Sequence, residues 1–303
     1  MKRYVQFGNM WSIICTANLY ERETAMKNFR LLFIIISLFA VFTVSAQPPQ
    51  LTIFAAASLT DVFTEVGDAF SVQYDVEINF QFGASSTLAT QITEGAEADL
   101  FISANVRQAQ NLLDAGLVDG NLVTIAQNRL VVIIPADNPA TIQSLSDLAR
   151  EGVLLAIAMP DVPVRGYTDQ MLEAMRNDSD YGQSFFDGFY ANVVIEGANV
   201  RQVVTQVALG EADAGVVYAS DVTPDVVADL TVLDVPDEFN VIADYPAVLL
   251  AASAQPELAQ EFIAFLLSDD GQDALENWGF ISVRPQKSWG WVQLCATNPA
   301  WCE

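Results

Sequence analysis

Short apolar runs alternating with amphipathic ones from Leu51 onward leave this chain few folds to choose from. Residues 51–55 form an apolar run. They are followed by Ser58-Leu59-Thr60-Asp61 and then by Val62, Phe63, Val66 and Phe70 at helical spacing, so a strand leads into a Ser-capped helix. Val76, Ile78, Phe80 and Phe82 alternate with Glu77, Asn79 and Gln81, the period of a strand with one buried face. Gly83-Ala84-Ser85-Ser86 opens a second helix to about residue 94, and a third strand at 99–103 precedes a helix at 106–115. Further strands are expected at 130–135, 153–158, 193–196, 214–218, 231–233 and 247–251, with helices at 142–150, 167–176, 200–209, 256–267 and 271–278. Such alternation defines the α/β class with mainly parallel sheets. No repeat, low-complexity block or long linker interrupts it, so two lobes would be joined through strands rather than by a tether.

Charge removes several function classes. The 303 residues include 13 Lys+Arg, 38 Asp+Glu and no His, a formal net charge of −25. A chain this acidic has no diffuse positive field to hold a polyanionic backbone, so nucleic acid is excluded as an expected partner. Without His, the Ser-His-Asp and Cys-His catalytic arrangements and every His-ligated metal site are excluded. With 52% hydrophobic and 17% charged residues the chain is globular, and its length suits one large or two modest domains.

The first 46 residues read as an address. Lys27 and Arg30 precede an apolar run at 31–44, and small residues Ser45 and Ala46 follow, the layout of a secretory signal peptide at 26–46 that is removed on export. A membrane anchor is the alternative, but the run is short for a span of about 20 residues. Met26 is a candidate true start, and no Cys follows the run to carry a lipid anchor. The exported form keeps 8 basic and 36 acidic residues, a net charge of −28. It retains Cys295 and Cys302 in a tail at 285–303, either bridged in an oxidising compartment or free in a loose segment.

The strand-to-helix loops carry the chemistry. Ser58, the pair Ser85 and Ser86, the run Val162-Pro163-Val164-Arg165-Gly166-Tyr167 and the run Ala198-Asn199-Val200 each lead from the carboxyl end of a strand into a helix. Ligands of open α/β sheets bind at that end. Helix N-termini present unpaired N–H groups and partial positive charge, which makes them anion sites without basic side chains. Ser is also a favoured cap in helices that bind nothing, and convergence of these loops is not readable from spacing.

At the same residues a resemblance enters. Residues 54–61 (FAAASLTD), 82–89 (FGASSTLA) and 97–104 (EADLFISA) closely resemble, in sequence and spacing, the first three blocks of the periplasmic molybdate-binding proteins of ABC transporters. Val162-Pro163, Asn199-Val200-Arg201, residues 210–221 (GEADAGVVYASD), Tyr245-Pro246 and Gly279-Phe280 continue the likeness in order, over about residues 50–282. The resemblance implies a two-lobed type II periplasmic binding fold with two strand crossings. One lobe would comprise 50–131 plus 243–284 and the other 132–242. A tetrahedral oxyanion, molybdate or tungstate, would sit between them for delivery to a membrane permease by a monomeric, non-enzymatic carrier without a cofactor. It assigns hydroxyl and backbone N–H donors to Ser58 and Ser85, backbone N–H donors to Val164 and Val200, and a phenolic donor to Tyr218.

One departure stands out. Val164-Arg165-Gly166 replaces the family's usual Val-Pro-Ala-Gly type of loop, which questions whether Val164 keeps its place. It offers Arg165 either as an extra charged contact or as a solvent-facing side chain. Three other readings remain open. A sulfate or other oxyanion receptor differs only in cavity size. A serine hydrolase using Ser58 or Ser85 lacks a base, since Lys287 is the single Lys of the exported part. An iron receptor would need partners for Tyr181 and Tyr190.

Overall fold

The computed structural model describes residues 48–284. The expected signal peptide and the tail with Cys295 and Cys302 lie outside the described residues. The elements in chain order are β1 (Gln50–Ala56), a 3-10 turn (Ala57–Leu59), α1 (Thr60–Tyr74), β2 (Glu77–Gly83), α2 (Ser85–Thr93), β3 (Leu100–Ile102), α3 (Val106–Asp114) and β4 (Val118–Asn128). They continue with β5 (Leu130–Pro135), a 3-10 turn (Leu145–Ala149), β6 (Leu155–Ala158), α4 (Pro163–Arg176), α5 (Gly182–Ala191), β7 (Val193–Gly197), α6 (Val200–Ala208) and β8 (Ala214–Tyr218). The 3-10 turns Ala219–Asp221 and Val227–Asp229, then β9 (Leu230–Asp234), β10 (Ala243–Leu250), α7 (Pro256–Leu267) and α8 (Asp269–Asn277), complete the described chain.

Two five-stranded sheets result, in the orders β2-β1-β3-β10-β4 and β7-β6-β8-β5-β9. They are the cores of two lobes of an α/β protein. The chain passes from the first to the second at Arg129, between β4 and β5, and returns through the turn segment between β9 and β10. The second passage is therefore irregular rather than a strand.

The expectation of mainly parallel sheets holds for only half of each. Within each sheet two ladders are parallel (β1 with β2 and β3; β6 with β7 and β8) and two are antiparallel (β10 with β3 and β4; β5 with β8 and β9). The reason is directional. Strands of strand-helix units end at the cleft, whereas β5 and β10 begin there: Leu130, the first residue of β5, pairs with Tyr218, the last of β8. A strand that enters its sheet at the cleft has to run against its neighbours.

Burial follows the strand positions. All six residues of β5 and all four of β6 are buried, as expected for central strands covered on both faces. Edge strand β2 alternates exposed Glu77, Asn79 and Gln81 with half-buried Ile78, Phe80 and Phe82. Phe80 meets Phe63 of α1 and Phe262 of α7, with ring centroids 5.8 and 6.3 Å apart.

Two local expectations are corrected, and two elements are added. The helix at 142–150 is only a 3-10 turn, because Ser144 and Asp147 cap it reciprocally and Arg150 is already extended. The helix expected from Tyr167 starts at Pro163, which occupies its first turn, where a missing N–H costs nothing. Strand β4, with Gly120 and an exposed first half, and helix α5, which begins at a glycine with φ +68°, carry too little periodicity to be expected from sequence.

Gly215 sets the distance of α6 from its sheet. A Cβ there would lie 2.8 Å from Val203 Cγ1, 3.0 Å from Val207 Cγ2 and 3.1 Å from the Ala156 carbonyl oxygen. Gly215→Ala is therefore expected to destabilise the protein by about 1–3 kcal/mol through overpacking. Urea unfolding should show a lower midpoint at unchanged slope; an unchanged midpoint would mean that α6 accommodates the methyl group freely.

Candidate functional site

The carboxyl ends of β1, β2, β6, β7 and β8 meet at one cavity between the lobes. Counting the solvent-filled opening, its space is about 220 Å³, and its walls include Ser58, Ser85, Val164, Val200 and Tyr218, together with Gly83, Ala104, Pro163 and Asn199. All five residues singled out from the sequence thus line one space. No charged side chain belongs to its wall.

Each wall residue is aimed by its local structure. Ser58 lies in the 3-10 turn that follows β1, and Ser85 is the first residue of α2. Val164 and Val200 occupy the first turns of α4 and α6, where backbone N–H groups have no intrahelical acceptor. Asn199 caps α6 by accepting the Gln202 N–H at 3.1 Å, so its side-chain oxygen is already occupied. Gly166 lies within α4 and outside the positive-φ region, so the departure at Val164-Arg165-Gly166 requires no special backbone, and Val164 keeps its place in the first turn.

The hydroxyls are oriented as donors. Ser85 Oγ accepts the Ala104 N–H at 3.0 Å, which leaves its proton to give. Asn128 accepts the Arg129 N–H at 2.9 Å through its amide oxygen, and so turns its NH2 toward Ser220 Oγ at 2.8 Å and Tyr245 Oη at 3.4 Å. Tyr245 Oη in turn lies 2.9 Å from Ser58 Oγ. Tyr245 Oη accepts from Asn128, and its hydrogen bond with Ser58 Oγ fixes the position of the serine hydroxyl at the cavity wall.

Tyr218 is the unresolved donor. It is 1% exposed, and its hydroxyl has no hydrogen-bond partner. Burial, reinforced by Tyr245, Tyr167 and Asp221, holds its pKa well above that of an ordinary phenol, so it stays protonated. A buried hydroxyl left unpaired is costly unless something in the cavity accepts from it.

These observations place three hydroxyls and two first-turn N–H groups around one uncharged space, and comparison with known proteins fits them. The profile of a family described as Bacterial extracellular solute-binding protein matches residues 51–281. The chain belongs to this family. Over 232 residues this solute-binding protein is 36% identical to the molybdate-binding protein ModA of Mycobacterium tuberculosis, covering 76% of this chain and 84% of that one. The substrate binding domain of a putative molybdenum ABC transporter from Clostridium difficile is 29% identical, with a TM-score of 0.60, over 78% of this chain and 99% of that one. The periplasmic molybdate-binding protein of Azotobacter vinelandii shares the fold, with a TM-score of 0.67 at 22% identity over 78% of this chain and all of that one.

Arg165 does not join the site of this solute-binding protein. Its guanidinium pairs with Asp169 at 2.7 Å and Glu196 at 2.9 Å, donates to the Ala158 carbonyl at 3.2 Å, and lies 5.6 Å from the Tyr190 ring centroid. Of the two readings of Arg165, the extra charged contact is not the one seen: one helical turn separates it from Asp169, and that pairing engages its guanidinium outside the cavity wall. It is not solvent-facing either, since its side chain is only 12% exposed.

Several residues at the site were not singled out from sequence. Tyr245 and Arg201 stood inside the quoted blocks without a role, and Asn128 gave no signal at all. Rings of Phe280, Tyr245, Tyr218 and Tyr167 follow one another edge to face at 5.3, 5.8 and 6.3 Å, from the first lobe into the second. Asp244 carries a further contact between the lobes: it neighbours Tyr167, whose pKa is pushed up to about 12, mainly by burial. Arg201, next to Val200, pairs with Asp61 of α1 across the lobes and faces Asp221 Oδ1 from its Nε at 3.4 Å.

Asp221 has no exposed surface, and its other oxygen accepts the Tyr218 N–H at 3.1 Å. Burial pushes its pKa up to about 7, against the pull of Arg201 and the Tyr218 N–H, while Asp61 adds to the rise. The folded protein therefore keeps a proton that the unfolded chain releases near pH 4. Folded stability from this group falls as pH rises between those values. Asp221→Asn removes that loss, so D221N should gain melting temperature relative to wild type as pH rises from 5 to 8. A difference in Tm that stays constant across this range would show that Asp221 is ionised throughout.

Proposed function

We propose that the protein captures molybdate, and with it tungstate, in the cavity between its lobes, and delivers the anion outside the cytoplasmic membrane to an ABC permease. It does so as a monomer, without a cofactor and without catalysing a reaction. The observation that carries this reading is the buried Tyr218 hydroxyl, unpaired and set among first-turn N–H groups and two serine hydroxyls in a wall with no charge. The 36% identity to a molybdate-binding protein supports the choice of anion.

The physics favours a fully ionised tetrahedral oxyanion. A dianion loses its hydration in a closed cleft, and an uncompensated charge there costs far more than binding returns. Fixed neutral dipoles replace that hydration with no reorganisation of their own. Each hydrogen bond to a charged group contributes roughly 1.5–3 kcal/mol net, so a handful sustains an affinity near or beyond the ~8 kcal/mol of a micromolar complex. Because the wall donates and does not accept, a protonated oxyanion would set its O–H against an N–H. Phosphate is disfavoured for that reason, and sulfate is separated from molybdate by size. The two serines pair with a phenol and a backbone amide rather than with a base, which leaves neither activated as a nucleophile.

Ser85→Ala and Tyr218→Phe each remove one donor and should weaken molybdate binding about tenfold to a hundredfold by calorimetry, following the cost of one charged hydrogen bond. Unchanged affinity in both variants would remove these residues from the site. A thermal-shift series should show stabilisation by molybdate and tungstate and little by sulfate or phosphate; equal shifts with sulfate would move the assignment to a general oxyanion receptor.

A further inference from the structure

Residues 48–284 hold 35 carboxylates and seven arginines. Six of those arginines, at 129, 150, 165, 176, 201 and 284, are tied to Asp or Glu at salt-bridge distance. Among the described residues, Arg107 alone is exposed without a carboxylate partner. It lies in the first turn of α3, where the helix dipole repels a cation and no acidic residue offsets it. Neither the helix dipole nor an ion pair therefore accounts for its position.

Arg107 lines a second cavity at the mouth of the cleft, whose space, open solvent included, is about 490 Å³. Asn105 and Val106 flank it on the first lobe, and Pro163, Gly166, Tyr167 and Gln170 face it from the second. The two cavities adjoin: Pro163 is a wall of both, and Ala104 of the inner one precedes Asn105 of the outer. No carboxylate lines this outer chamber, although acidic residues outnumber arginines five to one in the described chain.

We infer that the chamber around Arg107 is an outer loading site, which collects a tetrahedral dianion against the protein's negative field and passes it to the donor cavity. The inference rests on the oxyanion reading above. Arg107 makes no contact with the seated anion, since it is absent from the wall of the inner cavity; its long-range attraction acts on the entering and the seated anion alike, and so appears in the association rate. In water, a unit charge about 10 Å from a dianion changes the local dianion concentration about fourfold at low ionic strength. That effect fades as the screening length falls from about 30 Å at 0.01 M to about 3 Å at 1 M salt.

The test is stopped-flow binding of molybdate to the full exported chain as wild type, Arg107→Gln and Arg107→Glu, from 0.01 to 0.5 M sodium chloride. Arg107 is exposed, so both variants should fold, and equal melting temperatures check this. The expected result is an association rate about fourfold lower in R107Q at the lowest salt and lower again in R107E. Dissociation rates should be equal, and the three proteins should converge at high salt. Equal association rates across the series, or a change confined to dissociation, would overturn the loading site while leaving the inner cavity intact. Failure of wild type to bind molybdate at all would overturn the functional reading and this inference with it.

Discussion

An anion that sheds its water inside a protein needs donors that are already in place, and much of this molecule is arranged to supply them. First-turn N–H groups have no partner within their helices, and strand ends bring several such turns to one point. The cost is visible at Tyr218, whose hydroxyl is buried and unpaired. It is visible again in the supports behind the donors: Ala104 turns Ser85, and Asn128 and Tyr245 turn Ser58. A wall of neutral dipoles also explains how a chain with a net charge of −25 can hold an anion at all. Surface charges beyond about 8 Å are largely screened at physiological salt, and the donors at contact are not.

The same cavity belongs to both lobes, so its geometry depends on how they meet. Two chain passages, an edge-to-face line of four rings and the Arg201 pair with Asp61 span the interface. Arg201 adjoins Val200 in sequence, and Asp61 opens the helix that follows Ser58. The ion pair therefore ties together two segments that each present a donor, one from either lobe. Buried Asp221 holds the other face of Arg201 and the backbone of Tyr218, which links the clasp to the phenol.

Much of the fold was legible because its signals are local. Apolar runs at strand length, helical spacing after Ser58 and Ser85, and alternation in residues 76–82 all depend on near neighbours. Misreadings fell where local preference was weak or overruled. Strand β4 is half exposed and broken by Gly120, the segment at 142–150 closes on itself through Ser144 and Asp147, and β5 and β10 run antiparallel because of where they enter their sheets. The candidate site was legible as five positions through motif resemblance. Spacing alone offered only capped helices, which usually bind nothing.

The sequence by itself determined the α/β class, the acidity that excludes polyanions and the lack of histidine that excludes imidazole chemistry. Each is a matter of composition or of contacts a few residues apart. Only the tertiary structure decided that five loops from two lobes share one cavity, that Arg165 is engaged outside its wall while Arg201 clasps it, and that Arg107 alone among the described arginines is left unpaired at its mouth. Those outcomes depend on pairs such as Ser58 with Tyr245, 187 residues apart, and no local periodicity encodes the direction in which such distant side chains point.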